Sequence, residues 1–241
     1  MVMDMNIEDK EFLLKQIEVN EFLIKLSKVR INHHKKMESL LTMGWLFEEI
    51  ENTENKDYLE EPYAALSDTL GDEISVEDFA SGLLLILLVR EVELYFIDIL
   101  KHLFLKYPMK LGSTQFTLKE AIELSKDEIV IEAAERYING LLYKRPEEYL
   151  SSICEISSVD YKEIQPFWSV FIEAKARRDL GIHNNWVVNK IYLRKINAAG
   201  VETDLKNGSI AVISSDYIKD QCDNCNQLID KFHTLLTEKH T

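Results

Sequence analysis

Eight glycines and four prolines are all the backbone punctuation available to 241 residues, and this scarcity constrains the fold more than any other feature. A sandwich or barrel needs a turn roughly every 8–12 residues, and turns draw heavily on Gly and Pro. Long stretches of Leu, Ile, Glu and Lys without a breaker favour helices instead. Hydrophobic residues make up 46% of the chain, enough to fill a core at this size. We therefore read the chain as all-α: a helical bundle with a long N-terminal helix or helix pair and a short extended segment before the last helix.

Several classes are expected to be absent. The opening Met1 to Asn6 contains Asp4 and lacks an apolar h-region, so no secretory signal is read there. The longest apolar run, Leu83 to Val89, ends at Arg90 and Glu91; it is far shorter than the roughly 20 residues a membrane span requires. Three cysteines without a framework spacing fit a reducing cytoplasm. Cys222 and Cys225 form a lone C-x-x-C with Cys154 distant. Without a second ligand pair they predict ordinary helix cysteines, no zinc and no other metal or cofactor.

The formal net charge of −14 opposes polyanion binding for the chain as a whole. Its distribution is uneven. From Phe171 to Gly200, six bases (Lys175, Arg177, Arg178, Lys190, Arg194, Lys195) face two acids (Glu173, Asp179), a local balance of +4, so the remainder carries −18. One cationic island on an acidic body is the first place to seek an anionic ligand.

Along the chain, residues 8–50 have helical periodicity. Ile17, Ile24 and Ile31 recur every seven, and Phe12, Leu13, Phe22 and Leu26 widen the stripe. Arg30, His33, His34, Lys35 and Lys36 in its middle read as a solvated face. An acidic stretch from Glu48 to Glu61 followed by Pro62 suggests a loop, dividing the chain into an N-terminal helical extension, 1–62, and a helical domain, 63–241. Ser75 with Asp78 resembles a capping box for an apolar helix that Pro108 stops. Thr117 with Glu120 opens a short helix, Asp127 a longer one to about 143, and Pro146 another to about 157. Asp160 with Glu163 starts a helix to about Leu180, with Gly181 placed as a left-handed cap. Further helices are expected from about Trp186 to Ile196 and from about Asp216 to Lys239, with a loop and short extended piece over 200–212.

The segment Ala174 to Trp186 carries the candidate chemistry. Arg178 and His183 are five positions apart, which on a continuous helix turns their side chains about 140° apart. A helix ending at Gly181 would let both project from a corner toward one point. An Arg and a His converging in a cationic pocket suit RNA phosphodiester cleavage. The substrate's 2′-hydroxyl attacks, the imidazole moves protons, and the guanidinium offsets developing charge, without requiring a metal. The plainer alternative is that Arg177 and Arg178 complement a helix C-terminus and His183 is a hydrogen-bonded loop residue.

Here the sequence resembles the HEPN superfamily, whose members share an Arg and a His separated by four to six residues, with a polar residue after the Arg. Arg178-Asp179-Leu-Gly-Ile-His183 fits that pattern. The continuation, His183-Asn184-Asn185 and then Val187, Val188, Asn189, Lys190, Tyr192 and Leu193, is similar to the branch related to ribonuclease L and phage-defence HEPN proteins. So are Gly208 to Ile213 and the amphipathic last helix. The likeness is strongest over 171–195 and extends over about 75–240, leaving the first 50 residues outside it. Trp186 stands where that branch often has Gly. The resemblance implies a helical domain that dimerises so that the Arg and His of two chains form one metal-independent ribonuclease site, with Arg178 and His183 as the catalytic pair. It also implies a setting in phage defence or as a toxin with a neutralising or activating protein partner, and it includes relatives that are catalytically silent scaffolds.

Around that pair we expect supporting roles for Asp179, Asn184, Arg177 and Glu93, and RNA contacts from Lys175, Lys190, Trp186 and Tyr192. Glu93 shares a helix stripe with Ile86, Val89, Ile97 and Leu100. A carboxylate there needs a base, either Arg178 or the local Arg90. Trp168, Trp186 and Tyr192 flank the motif as base-stacking candidates, although aromatics at helical spacing are more often core. Two readings follow: a homodimeric endoribonuclease without a membrane partner, and a silent module that binds a protein or nucleotide.

Overall fold

The computed structural model describes residues 7–52 and 76–241. Among these are eight α-helices and no strand, so the all-α reading holds. The expected cap at Ser75 and the boundary at Pro62 lie outside the described residues, as do the side chains of Phe12 and Leu13.

Helix α1 (Ile7–Asn52) is a single uninterrupted helix. Its buried face is formed by Phe22, Leu26, Val29, His33 and Met37, spaced by four or three residues as one side of a 3.6-residue helix requires. The heptad isoleucines are on the opposite side, with Ile17 52%, Ile24 53% and Ile31 44% exposed. This corrects the single widened stripe read from sequence. Periodicity finds both faces of α1 but does not say which one packs.

Helix α2 (Val76–Lys106) is apolar nearly all round and correspondingly buried, from Leu84, Leu85, Leu88, Val89 and Val92 through Ile99, Leu103 and Phe104. It ends before Pro108, which opens a 3-10 turn, Pro108–Leu111. Helices α3 (Leu118–Glu123) and α4 (Lys126–Leu142) each begin with a complete capping box. Thr117 pairs with Glu120, and Ser125 with Glu128, each box satisfying two otherwise orphaned backbone donors. Helix α5 (Pro146–Ser157) has Pro at its first turn and closes on left-handed Ser158. Lys110 donates to the carbonyl of Ile156 and to Ser158 Oγ. Helices α6 (Tyr161–Asn184), α7 (Lys190–Ala198) and α8 (Ser215–His240) complete the order. The extended piece before α8 is an isolated antiparallel bridge between Val187 and Ile210.

The chain divides into two compact units. The first comprises Met1–Asn32, Tyr95–Tyr161 and Asp230–Thr241. Its interior holds Phe96 edge-on to Phe232 at 5.0 Å and Phe104 to Tyr137 at 5.2 Å, with an ion pair of Arg30 and Asp230 at 3.0 Å. The second comprises His33–Leu94 and Lys162–Ile229. It contains the whole Arg178–His183 segment, over a cluster of Ala176, Leu180, Val188, Tyr192, Ile196 and Ala211.

Candidate functional site

The site is built where α6 ends. The expectation that Gly181 would close this helix is not met: α6 runs through Gly181 to Asn184. The left-handed residues are instead Asn185 (φ 48°) and Trp186 (φ 62°). Their cause is a wide closure in which Trp186 N–H donates to the Leu180 carbonyl at 3.1 Å and Val187 N–H to that of Asn184 at 2.9 Å. Asn184 adds a side-chain donor to the Val187 carbonyl. Ala211 N–H donates to Trp186 and Val188 N–H to Ser209, each at 2.8 Å, which fastens the corner to the segment before α8. A helix from Trp186 is therefore impossible, and α7 begins only after Asn189, whose side chain accepts from Tyr192 N–H at 2.9 Å.

Gly181 has a different use. The Trp186 indole lies against it so closely that a Cβ there would fall 2.4 Å from ring atoms, and a Cβ at Gly82 on α2 would fall 2.6 Å from the same ring. Two helical glycines thus form a slot for one indole. Trp186 is held in a backbone conformation that disfavours side chains by roughly 1–2 kcal/mol, and its ring is committed to the slot. It does not stand free to stack on a base.

Because α6 is continuous, Arg178 and His183 diverge by about 140°, and among the described residues no hydrogen bond or ion pair joins them. His183 is exposed in the last turn. Arg178 is largely covered and held by acids, with its guanidinium 3.6 Å from Glu93 and its Nε 3.1 Å from Asp179. Glu93, on α2, also pairs with Lys175, and Asp179 with Lys195 at 2.9 Å. Glu93 thus reaches across to α6 and not to Arg90. Three bases and two acids leave this cluster at +1, so the two carboxylates absorb much of the cationic island. The exposed cations are Lys190 and Arg194, one turn apart on α7, where solvated charge remains available to a phosphate.

Arg177 belongs to a different construction, 100° round the helix. Glu173 is buried and accepts three hydrogen bonds: from Arg177 Nε at 2.7 Å, Tyr192 Oη at 2.8 Å and Tyr217 Oη at 2.6 Å. Arg177 also donates to the Val212 carbonyl at 3.3 Å and lies 4.2 Å over the Tyr217 ring. Burial, reinforced by the negative charge of Glu173, raises both tyrosines and keeps their hydroxyls protonated as donors. This clamp ties α6, α7 and α8 together. It corrects two expectations: Tyr192 is buried and presents no face for a base, and Arg177 is engaged in structure. Sequence reasoning missed Glu173, whose one visible signal is its spacing of four from Arg177.

Trp168 is buried beside Phe171. Cys222 and Cys225 are buried free thiols, and burial pushes Cys222 up to about 11. Among the described residues, no group of three or more His, Cys, Asp or Glu side chains is arranged to hold a metal, and no helix is long and apolar enough to cross a membrane. The sequence matches no protein-family model, and neither a curated protein nor a solved structure shows significant similarity to the chain.

Proposed function

We propose that this chain is a HEPN-type, metal-independent endoribonuclease whose site is completed by a second copy. The observation that carries this reading is the division of labour at the end of α6. Arg178 is held in place by Glu93 and Asp179, while His183 stands exposed without a hydrogen bond or ion pair among the described residues. On one continuous helix the two do not address the same atom, which favours a site in which an Arg from one chain meets a His from another. In such a site His183 takes the 2′-hydroxyl proton or returns one to the 5′-oxygen. Arg178 offsets charge developing on the phosphorane oxygens. Lys190 and Arg194 steer the strand. The setting we favour is phage defence or a toxin with a neutralising or activating partner.

A second reading, a catalytically silent module binding a protein or nucleotide, draws on the neutralisation of Arg178 by two carboxylates, which a phosphate would have to displace. The test is incubation of wild-type and His183→Ala protein with a mixed RNA pool in EDTA, followed by end analysis. Cleavage by wild type alone, leaving 2′,3′-cyclic phosphate and 5′-hydroxyl ends, supports the nuclease. No cleavage by a folded dimer moves the assignment to the silent module.

A further inference from the structure

The buried face of α1 leaves its opposite face without a partner among the described residues, and that face is not a random surface. Taking Ile24 as the reference direction, Ile17 and Ile31 fall within about 20° of it, whereas Phe22, Leu26, Val29, His33 and Met37 cluster about the opposite direction. The outward stripe is flanked on one side by Asn20 and Ser27, small enough for close approach. On the other side it is flanked by exposed Glu21 and Lys28. Leu14, 60% exposed, borders its N-terminal end.

We propose that this face of α1 pairs with the same face of a second copy, antiparallel, with the two-fold axis close to Ile24. The charges choose the direction. In an antiparallel pair about that axis, the flank carrying Glu21 meets the same flank of the second helix. Glu21 of each copy then lies beside Lys28 of the other, forming two symmetric ion pairs. In a parallel pair at the same heptad register, Glu21 faces Gln16 and Lys28 faces Leu23, so neither charge is matched. Ile17 of one copy lies near Ile31 of the other, while Ile24 lies near its own equivalent. Three isoleucines with their flanks cover less than the roughly 800 Å² per partner of a standard stable interface, so the association forms at micromolar concentration. It does not depend on the nuclease reading, since every residue involved lies in the first of the two compact units.

Single cysteines in the full chain test it. The native cysteines are buried, so a short thiol-to-thiol cross-linker reports the new positions. At micromolar protein, Ile24→Cys is expected to give a covalent dimer. Ile17→Cys and Ile31→Cys alone are expected not to, because their equivalents stand at least about 20 Å apart along the axis, yet mixing the two variants should link them. Glu21→Lys should lower the Ile24→Cys yield several-fold, and adding Lys28→Glu should restore it. Equal self-linking at all three positions, indicating a parallel pair, overturns the proposal, as does linking at none. An Ile24→Cys thiol protected from reagent in a monomer means another part of the same chain covers the stripe, which also overturns it. RNA cleavage by the same variants is read separately, so loss of activity and loss of pairing remain distinguishable.

Discussion

Replacing Gly181 by Ala should change the sign of its effect according to what occupies position 186. Gly181 lies inside α6 with helical geometry, where Ala is ordinarily better than Gly by about 1 kcal/mol. Here the new Cβ would sit 2.4 Å from two atoms of the Trp186 ring. The ring cannot simply swing away, because the Trp186 backbone is fixed by hydrogen bonds to Leu180 and Ala211 and the other side of the slot is Gly82. Overpacking of this kind costs about 1–3 kcal/mol, so Gly181→Ala alone should destabilise by up to about 2 kcal/mol after the helix gain is subtracted. Trp186→Gly removes the indole, losing about 2 kcal/mol of burial, but recovers about 1 kcal/mol by placing glycine at a left-handed position. With the ring gone, Gly181→Ala should stabilise by about 1 kcal/mol. The coupling across the double-mutant cycle is then about 1–3 kcal/mol, the overpacking cost itself. Urea unfolding followed by far-ultraviolet circular dichroism would measure it as midpoint shifts at constant slope. Equal destabilisation by Gly181→Ala in both backgrounds would refute the slot.

Glu173→Gln should be the costliest single substitution near the site, at about 3–5 kcal/mol, because it removes the buried carboxylate that compensates the largely covered Arg177 charge. Thermal unfolding should register a drop of about 10 °C, with Tyr217→Phe far milder at about 1 kcal/mol. In acid, the start of α3 should weaken between about pH 4.5 and about 2. The Thr117 backbone N–H, then Arg136 and the Thr117 hydroxyl, hold Glu120 down at about 2. A depressed carboxyl stabilises above its unfolded value and loses that contribution as pH falls through the folded one. Faster amide exchange at residues 118–120 in that window, absent in Glu120→Gln, would check it. His240, lowered by burial and then by Lys110 and Lys106, should cost stability as pH falls below about 6.5. Its charged form is favoured in the unfolded chain, and pH-dependent unfolding of His240→Gln should lack that slope.

The sequence determined the class of fold and most of its punctuation. Thr117 with Glu120, Pro108, Pro146 and the paucity of glycine act through neighbours three or four residues away, and such local interactions are legible without a structure. It also located the segment on which a functional reading rests, and it identified Glu93 as a carboxylate needing a base. Only the tertiary structure decided which face of α1 is buried, since two apolar stripes of similar strength differ only in what packs against them. It alone decided that Gly181 continues a helix, because the reason is an indole arriving from beyond the corner and a second glycine about 100 residues earlier in the chain. It also engaged Arg177 and Tyr192 with Glu173. A buried carboxylate collects donors by distance in space, and their positions at 177, 192 and 217 carry no joint periodicity from which that choice could be read.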